Sequence, residues 1–277
     1  MKTLSLGSFD LPLAKPLVMG VVNMTPDSFS DGGKFFSTAA AIDHARQLID
    51  EGADILDIGG ESTRPGAEPV DTAEELRRVL PFIEAMKNHA VPISIDTMKP
   101  EVMRAAIQAG VSMVNDVNAL SADGAIEVCA QSNVGVCLMH MQGMPRTMQL
   151  EPNYADVVAE VKAFLAARAH ACEQAGIAKN RIAIDPGFGF GKNREHNLAL
   201  LRRLGEFHDL GYALLVGLSR KSVLGKITGQ EVVSRVPASV AAAMLAVQNG
   251  AQIVRVHDVR ATKDALAILQ AVQETSN

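Results

Sequence analysis

The chain has 277 residues, of which 48% are hydrophobic but only 4% aromatic, with no Trp and a formal net charge of −5. That apolar share supports a large, aliphatic core, and the acidic balance argues against a nucleic-acid binder, which needs a basic face. No apolar run approaches the roughly 18 residues of a membrane span and no signal peptide is evident, so no membrane partner and a cytoplasmic location are expected.

Along the chain one unit recurs: an apolar strand ending in a polar residue, a loop, a helix, a Gly, and the next strand. Residues Leu4–Leu13 read as a small hairpin. Eight strands are expected at Leu17–Val22, Ile55–Ile58, Ile93–Ile95, Met113–Val114, Val134–Met139, Ile182–Ile184, Leu214–Val216 and Ile253–Val256. The helix after the second strand opens on an Asp71-x-x-Glu74 capping pattern and carries Leu76, Val79, Leu80 and Ile83 at helical spacing. Tyr154, Val157, Val158, Val161, Phe164 and Leu165 repeat that stripe in the fifth helix, and Ala265, Ile268, Leu269 and Val272 in the last. Gly52, Gly110, Gly176 and Gly250 mark helix ends just before a strand.

Eight such units in about 250 residues predict one α/β domain over residues 1–277, a TIM-type (β/α)8 barrel with the hairpin at its floor. A doubly wound open sheet is the structural rival, but no Gly-x-Gly-x-x-Gly follows the first strand. Cys129, Cys137 and Cys172 make no Cys-x-x-Cys pair and no zinc spacing, so they are expected as incidental thiols. Helix Ala238–Val247 is unusually apolar and could face a partner or a neighbouring element.

Barrel active sites lie at the carboxyl ends of the strands. There this chain places Asn23, Asp57, Asp96, Asn115, His140, Asp185, Ser219 and the pair Arg255 and His257. One such residue is as readily a strand cap as a ligand; eight of these types at one end make a site the better reading. Two subsets separate. Arg220, Lys221, Arg255 and His257 fall where barrels commonly hold phosphate, with Asn23 across the closure. Positive donors with one neutral oxygen suit a diphosphate bridged by Mg²⁺, which takes few protein ligands. Asp96, Asn115 and Asp185 suit a heterocycle with adjacent N–H donors and acceptors.

Three loops are rich in Gly and Pro: Asn23-Met-Thr-Pro-Asp-Ser-Phe-Ser-Asp-Gly-Gly33, Gly59-Gly-Glu-Ser-Thr-Arg-Pro-Gly66 and Asp185-Pro-Gly-Phe-Gly-Phe-Gly-Lys192. The first two have the composition of mobile lids. The third is neither a P-loop nor a dinucleotide fingerprint, and offers Phe188 and Phe190 as walls for a flat ligand.

Together with Ser94-Ile-Asp-Thr97, Ser219-Arg-Lys-Ser222 and Arg255-Val-His-Asp258, and taken in chain order, these segments resemble the signatures of the dihydropteroate synthases, from about Val18 to about Ala271. The resemblance implies a transferase of folate biosynthesis that condenses a dihydropterin pyrophosphate with p-aminobenzoate and releases pyrophosphate. It implies Asn23 on the Mg²⁺, Arg255 and His257 on the pyrophosphate, and Asp96, Asn115, Asp185 and Lys221 in the pterin slot between Met139 and Phe190. Thr63, Arg64, Pro65 and Ser222 would help form the p-aminobenzoate site, and Asp96, Lys221, Arg255 and His257 are the expected catalytic set. A homodimer and a sulfonamide target are also implied.

The sequence shows no Ser-His-Asp order and no activated Cys, which agrees with a reaction in which the leaving group departs before the amine attacks. Two rivals share the pterin slot. A methylfolate-to-corrinoid methyltransferase has no use for the Arg255 and His257 pair, and a catalytically silent pterin binder would be expected to lack Lys221, Arg255 or Thr63-Arg64, all of which are present.

Overall fold

A computed structural model describes residues 2–24, 38–62, 66–143 and 147–274. Strands β1 (Thr3–Leu6) and β2 (Phe9–Pro12) pair antiparallel as the expected hairpin. The barrel strands are β3 (Leu17–Asn23), β4 (Ile55–Gly59), β5 (Ile93–Asp96), β6 (Met113–Asp116), β7 (Gly135–Met139), β8 (Ile182–Asp185), β9 (Ala213–Val216) and β10 (Ile253–Val256). All pair in parallel in chain order, and β10 closes on both β9 and β3. Helices α1 (Thr38–Asp50), α2 (Thr72–Met86), α3 (Pro100–Ala109), α4 (Ala125–Ala130), α5 (Val157–Gln174), α6 (Arg194–Arg202), α7 (Ser222–Thr228), α8 (Val236–Gln248) and α9 (Val259–Glu274) alternate with them. The fold is the expected TIM-type barrel.

Most strands run a residue or two further than the apolar pattern predicts, and this matters for the site. The ladder continues through the polar residues: Asn23 stands opposite Gly59, Gly59 opposite Asp96, and Asp96 opposite Asn115. These side chains are therefore carried on hydrogen-bonded backbone rather than on loops, which fixes their spacing.

Two core layers follow from the two faces of the strands. The outward face packs against the helices through residues such as Val18, Leu56, Ile95, Val136 and Ile184. The inward face at the amino end joins Leu17, Met19, Ile55, Met113, Cys137, Leu215 and Ile253 to Leu4 and Leu6 of the hairpin. The hairpin thus plugs the barrel floor, and it does so tightly: a Cβ at Gly135 would collide with the Leu6 side chain.

The helices keep their predicted positions with shifted faces. In α2, Val79, Phe82, Ile83 and Met86 are buried, while Leu76 and Leu80 are only partly covered. Asp71 caps the helix by accepting from the Glu74 N–H at 2.8 Å, but the Glu74 carboxylate turns to Arg77 and Arg78, so the reciprocal half of the capping box is not made. In α5 the expected Val157, Val158, Val161 and Leu165 are buried, and Tyr154 lies ahead of the helix, where Asp156 is the cap. The predicted stripe of α9 is displaced: Val259, Thr262, Leu266 and Leu269 face inward, leaving Ile268 and Val272 exposed. Gly110 ends α3 at φ 116° with its N–H bonded to Ala106 and Ile107, a left-handed stop that side chains resist. The other expected glycine ends also have positive φ.

Candidate active site

At the carboxyl end of the barrel the strand ends surround a cavity of about 420 Å³, within the size range of small-molecule sites. Asn23, Asp96, Asn115, Met139, Asp185, Phe190, Lys221, Ser222, Arg255 and His257 all line it. Thr63, Arg64 and Pro65, and the first lid beyond Met24, lie outside the described residues.

One side of the cavity is a charge network. Arg255 reaches inward from β10, with Nε donating to Asp57 Oδ2 at 2.6 Å and Nη2 to Asp96 Oδ2 at 2.9 Å. Asn115 Nδ2 donates to the same Asp57 oxygen at 3.2 Å. Asp57 is fully buried behind Arg255, and Oδ1 of both Asp57 and Asp96 has no hydrogen-bond partner among the described residues. Such atoms are costly unless something else satisfies them. Burial raises the Asp96 pKa to about 7, against the pull of Arg255 and with help from Asp57. Burial works against the charge of Arg255 too, but Asp57 and Asp96 outweigh it and raise its pKa.

The other side is a cation against a ring. Lys221 precedes α7 and sends Nζ to the carbonyl of Phe188 and over the Phe190 ring, 4.3 Å from its centre. Burial lowers its pKa to about 8, opposed by Asp185. Asp185 ends β8, accepts the Gly187 N–H at 2.7 Å, and is itself raised by burial, with Lys221 opposing. At the rim Ser219 Oγ lies 3.0 Å from His257 Nδ1 and accepts the His257 N–H at 3.2 Å, orienting the imidazole.

A flat slot with carboxylate and amide edges, opening beside Arg255, Lys221 and His257, suits an uncharged heterocycle carrying an anionic tail. Comparison with known proteins gives the same picture. The pterin binding enzyme family model matches residues 19–257. A dihydropteroate synthase of Neisseria meningitidis serogroup B is 53% identical over 273 residues, covering 96% of each chain. The chain belongs to the dihydropteroate synthases.

Two solved dihydropteroate synthases superpose closely. That of Xanthomonas albilineans with 4-aminobenzoic acid matches with a TM-score of 0.93 and 54% identity over 98% of each chain. That of Yersinia pestis in a sulfonamide drug complex matches with a TM-score of 0.94 and 45% identity, over 98% of this chain and 99% of the other.

Within this member of the dihydropteroate synthases, three residues depart from their expected places. Phe188 is fully buried in the core, so Phe190 alone of the two faces the cavity; the alternating glycines turn the backbone, so the two rings point apart. Arg220 lines the cavity but is held by Asp258 through two bonds of 2.6 and 3.1 Å, as Arg255 is held by Asp57 and Asp96, so an anion would compete for it. Its backbone is left-handed at φ 58°, held by the Ser239 hydroxyl on its N–H and Arg235 on its carbonyl. His140 lies beyond the end of β7 and packs edge-on to Phe164 instead of lining the cavity.

Sequence reasoning named Asp57 only as a strand end and passed over Glu61. Glu61 lines the cavity and is bound by Lys99 at 2.5 Å, while Lys99 also binds the fully buried Glu75 at 2.6 Å. The strand register could have placed Asp57 beside Arg255; nothing in the spacing joins Glu61, Lys99 and Glu75, whose meeting depends on how α2 packs.

Proposed function

We propose that the chain condenses 6-hydroxymethyl-7,8-dihydropterin pyrophosphate with p-aminobenzoate to give 7,8-dihydropteroate and pyrophosphate. The observation that carries this reading is the joint placement of Asp96, Asn115 and Asp185 on one slot with Arg255, Lys221 and His257 at its mouth. The carboxylates accept pterin N–H groups, in charge-assisted bonds of roughly 1.5–3 kcal/mol each. Phe190 and Met139 bound the ring faces. The p-aminobenzoate reaches the same cavity beside Ser222, with Thr63, Arg64 and Pro65 completing its site.

Pyrophosphate departs before the amine attacks. The carbon–oxygen bond to the leaving group breaks with its electron pair going to the diphosphate, and the electron-rich dihydropterin carries the resulting positive charge. Asp96 and Asp185 favour that cation; Arg255, His257 and Lys221 meet the charge on the leaving group. The neutral amine of p-aminobenzoate then forms the new carbon–nitrogen bond with its lone pair, and the resulting ammonium gives its proton to water, so positioning serves it better than a strong base. Substrate competes for Arg255, whose carboxylate partners hold it at the slot.

Magnesium fits as a companion of the diphosphate. Asn23 supplies one neutral oxygen at the cavity wall, and among the described residues no group of three or more His, Cys, Asp or Glu could cage an ion. An ion bound there would draw its remaining ligands from diphosphate and water, as Mg²⁺ accepts, and would add positive charge on the leaving group. Asn23 would orient that assembly.

A cytoplasmic setting agrees with three buried free cysteines, and no helix among the described residues is long and apolar enough to cross a membrane. A homodimer would use the outward apolar side chains Leu245 on α8 and Ile268 and Val272 on α9; sedimentation of Ile268→Asp as a monomer against a dimeric parent would support it. Sulfonamides would compete with p-aminobenzoate.

The test is pyrophosphate release from the purified protein given Mg²⁺ and the dihydropterin pyrophosphate, with and without p-aminobenzoate. Dihydropteroate formation is expected, with some release in the absence of amine. Bound pterin without product would point to a silent binder instead. For Arg255→Ala, single-turnover release slowed by roughly 100-fold is expected, given that one such donor contributes about 2.7–4 kcal/mol; release at the parental rate would exclude Arg255 from that step.

A further inference from the structure

The loop from Asp185 to Lys192 forms one wall of the slot, with the Phe190 N–H on the Gly187 carbonyl at 3.1 Å and the His140 N–H on the Asp185 carbonyl at 3.0 Å. It lies directly on the exit of β7: a Cβ at Gly187 would collide with the His140 carbonyl, and one at Gly191 with that of Gln142. Side chains hold several of its other backbone groups, Lys221 Nζ on the Phe188 carbonyl among them. Asn197 accepts from the Gly189 N–H at 2.7 Å and donates to the Lys192 carbonyl at 3.1 Å. Gln149 donates to the Gly189 carbonyl, and the Tyr154 hydroxyl to the Gly191 carbonyl at 2.8 Å.

A further tether is Lys192. Its side chain is buried, with the residue only 2% exposed, and it does not line the cavity. Nζ donates to the Phe190 carbonyl at 2.9 Å and the His140 carbonyl at 3.3 Å, and lies 2.9 Å from His140 Nδ1. Burial lowers the Lys192 pKa to about 7, opposed by Asp185; when Nζ is charged, the ring nitrogen is the acceptor and His140 carries its proton on Nε2. Burying a lysine with no carboxylate in contact is expensive, and a Met would fill such space without that penalty. What Nζ adds is a bond to each side of the seam: the β7 exit, and the carbonyl of Phe190, whose ring faces the ligand.

We propose that Lys192 and Tyr154 are positioning residues for the pterin, tethering the glycine loop so that the Phe190 ring stands at the right separation from the opposite wall of the slot. This rests on the pterin reading of the site. Neither residue touches substrate in the proposal; both act through the loop. Because p-aminobenzoate binds elsewhere in the cavity, against Ser222, the two substrates respond differently.

The experiment measures calorimetric affinity for the dihydropterin pyrophosphate and the KM for p-aminobenzoate at saturating pterin, in the parent, Lys192→Met and Tyr154→Phe. Lys192→Met is expected to raise the pterin Kd at least tenfold and Tyr154→Phe about threefold, with KM for p-aminobenzoate within twofold of the parent. A Kd in Lys192→Met within twofold of the parent overturns the proposal, as does a matched rise in both constants, which marks general loss of structure. Should Lys192→Met fail to fold, Tyr154→Phe decides alone, on the same split. A parent that binds no pterin at all would overturn the reading of the site itself, a result distinct from an unperturbed variant.

Discussion

The two ends of the barrel are built on opposite terms. At the floor, Leu4 and Leu6 of the hairpin close an aliphatic plug with Leu17, Met19, Ile55 and Ile253. At the mouth, strands of the same barrel a few residues later carry the buried Asp57 and Asp185 and the largely buried Asp96 and Arg255, with Oδ1 of Asp57 and of Asp96 lacking a partner among the described residues. The floor maximises stability per residue, whereas the mouth holds groups that favour a ligand at the expense of the free fold. One strand thus serves stability at its start and binding at its end.

That comparison can be broken or sharpened by substitution at each end. The largest effect is expected from Asp185→Ala. Losing two charge-assisted contacts of roughly 1.5–3 kcal/mol each should weaken pterin binding by about 100-fold or more, with little change in melting temperature; calorimetry showing unchanged affinity would remove Asp185 from the slot. At the floor, Leu6→Ala should do the reverse. Emptying that plug is expected to cost about 2–5 kcal/mol in denaturant unfolding while the folded fraction keeps its turnover; loss of activity without loss of stability would mean that the ends are not separable.

A smaller effect concerns pH. The Asp96 pKa is raised to about 7 by burial, so in the free protein this group stabilises the fold below the ordinary carboxylate range, and the contribution is lost as pH rises towards 7. Pterin affinity should run the other way, because the ionised carboxylate is the acceptor: it should rise by up to tenfold per unit, about 1.4 kcal/mol, between pH 6 and 7. Above about 8, deprotonation of Lys221 should weaken the hold on the pyrophosphate. A flat affinity profile from pH 6 to 8 would contradict this assignment.

Much of this was legible in the sequence because a parallel barrel repeats its signals. Eight apolar runs with glycine returns specify the closure, and the strand-end positions of Asp96, Asn115, Asp185 and Arg255 specify the cavity. The turn directions of single side chains were not legible. Phe188 and Phe190 share the same local pattern, yet glycine torsions send one into the core and the other to the ligand. The α9 stripe moved because Ile268 and Val272 have helical spacing but face outward. Long-range pairs were invisible as well: Lys192 with His140, Arg220 with Asp258, and Lys99 with Glu61 and Glu75 depend on packing, not spacing.

The claim that the mouth's carboxylates serve the ligand, not the fold, is tested most directly by Asp96→Asn, measured for melting temperature and dihydropteroate formation in the same preparation. The amide keeps an acceptor for Arg255 and removes a buried charge, so the melting temperature should equal or exceed that of the parent. Product formation should fall by roughly 100-fold or more, the scale of one preorganised electrostatic contact. A melting temperature several degrees lower, about 1 kcal/mol or more of lost stability, with product formation retained would contradict the account.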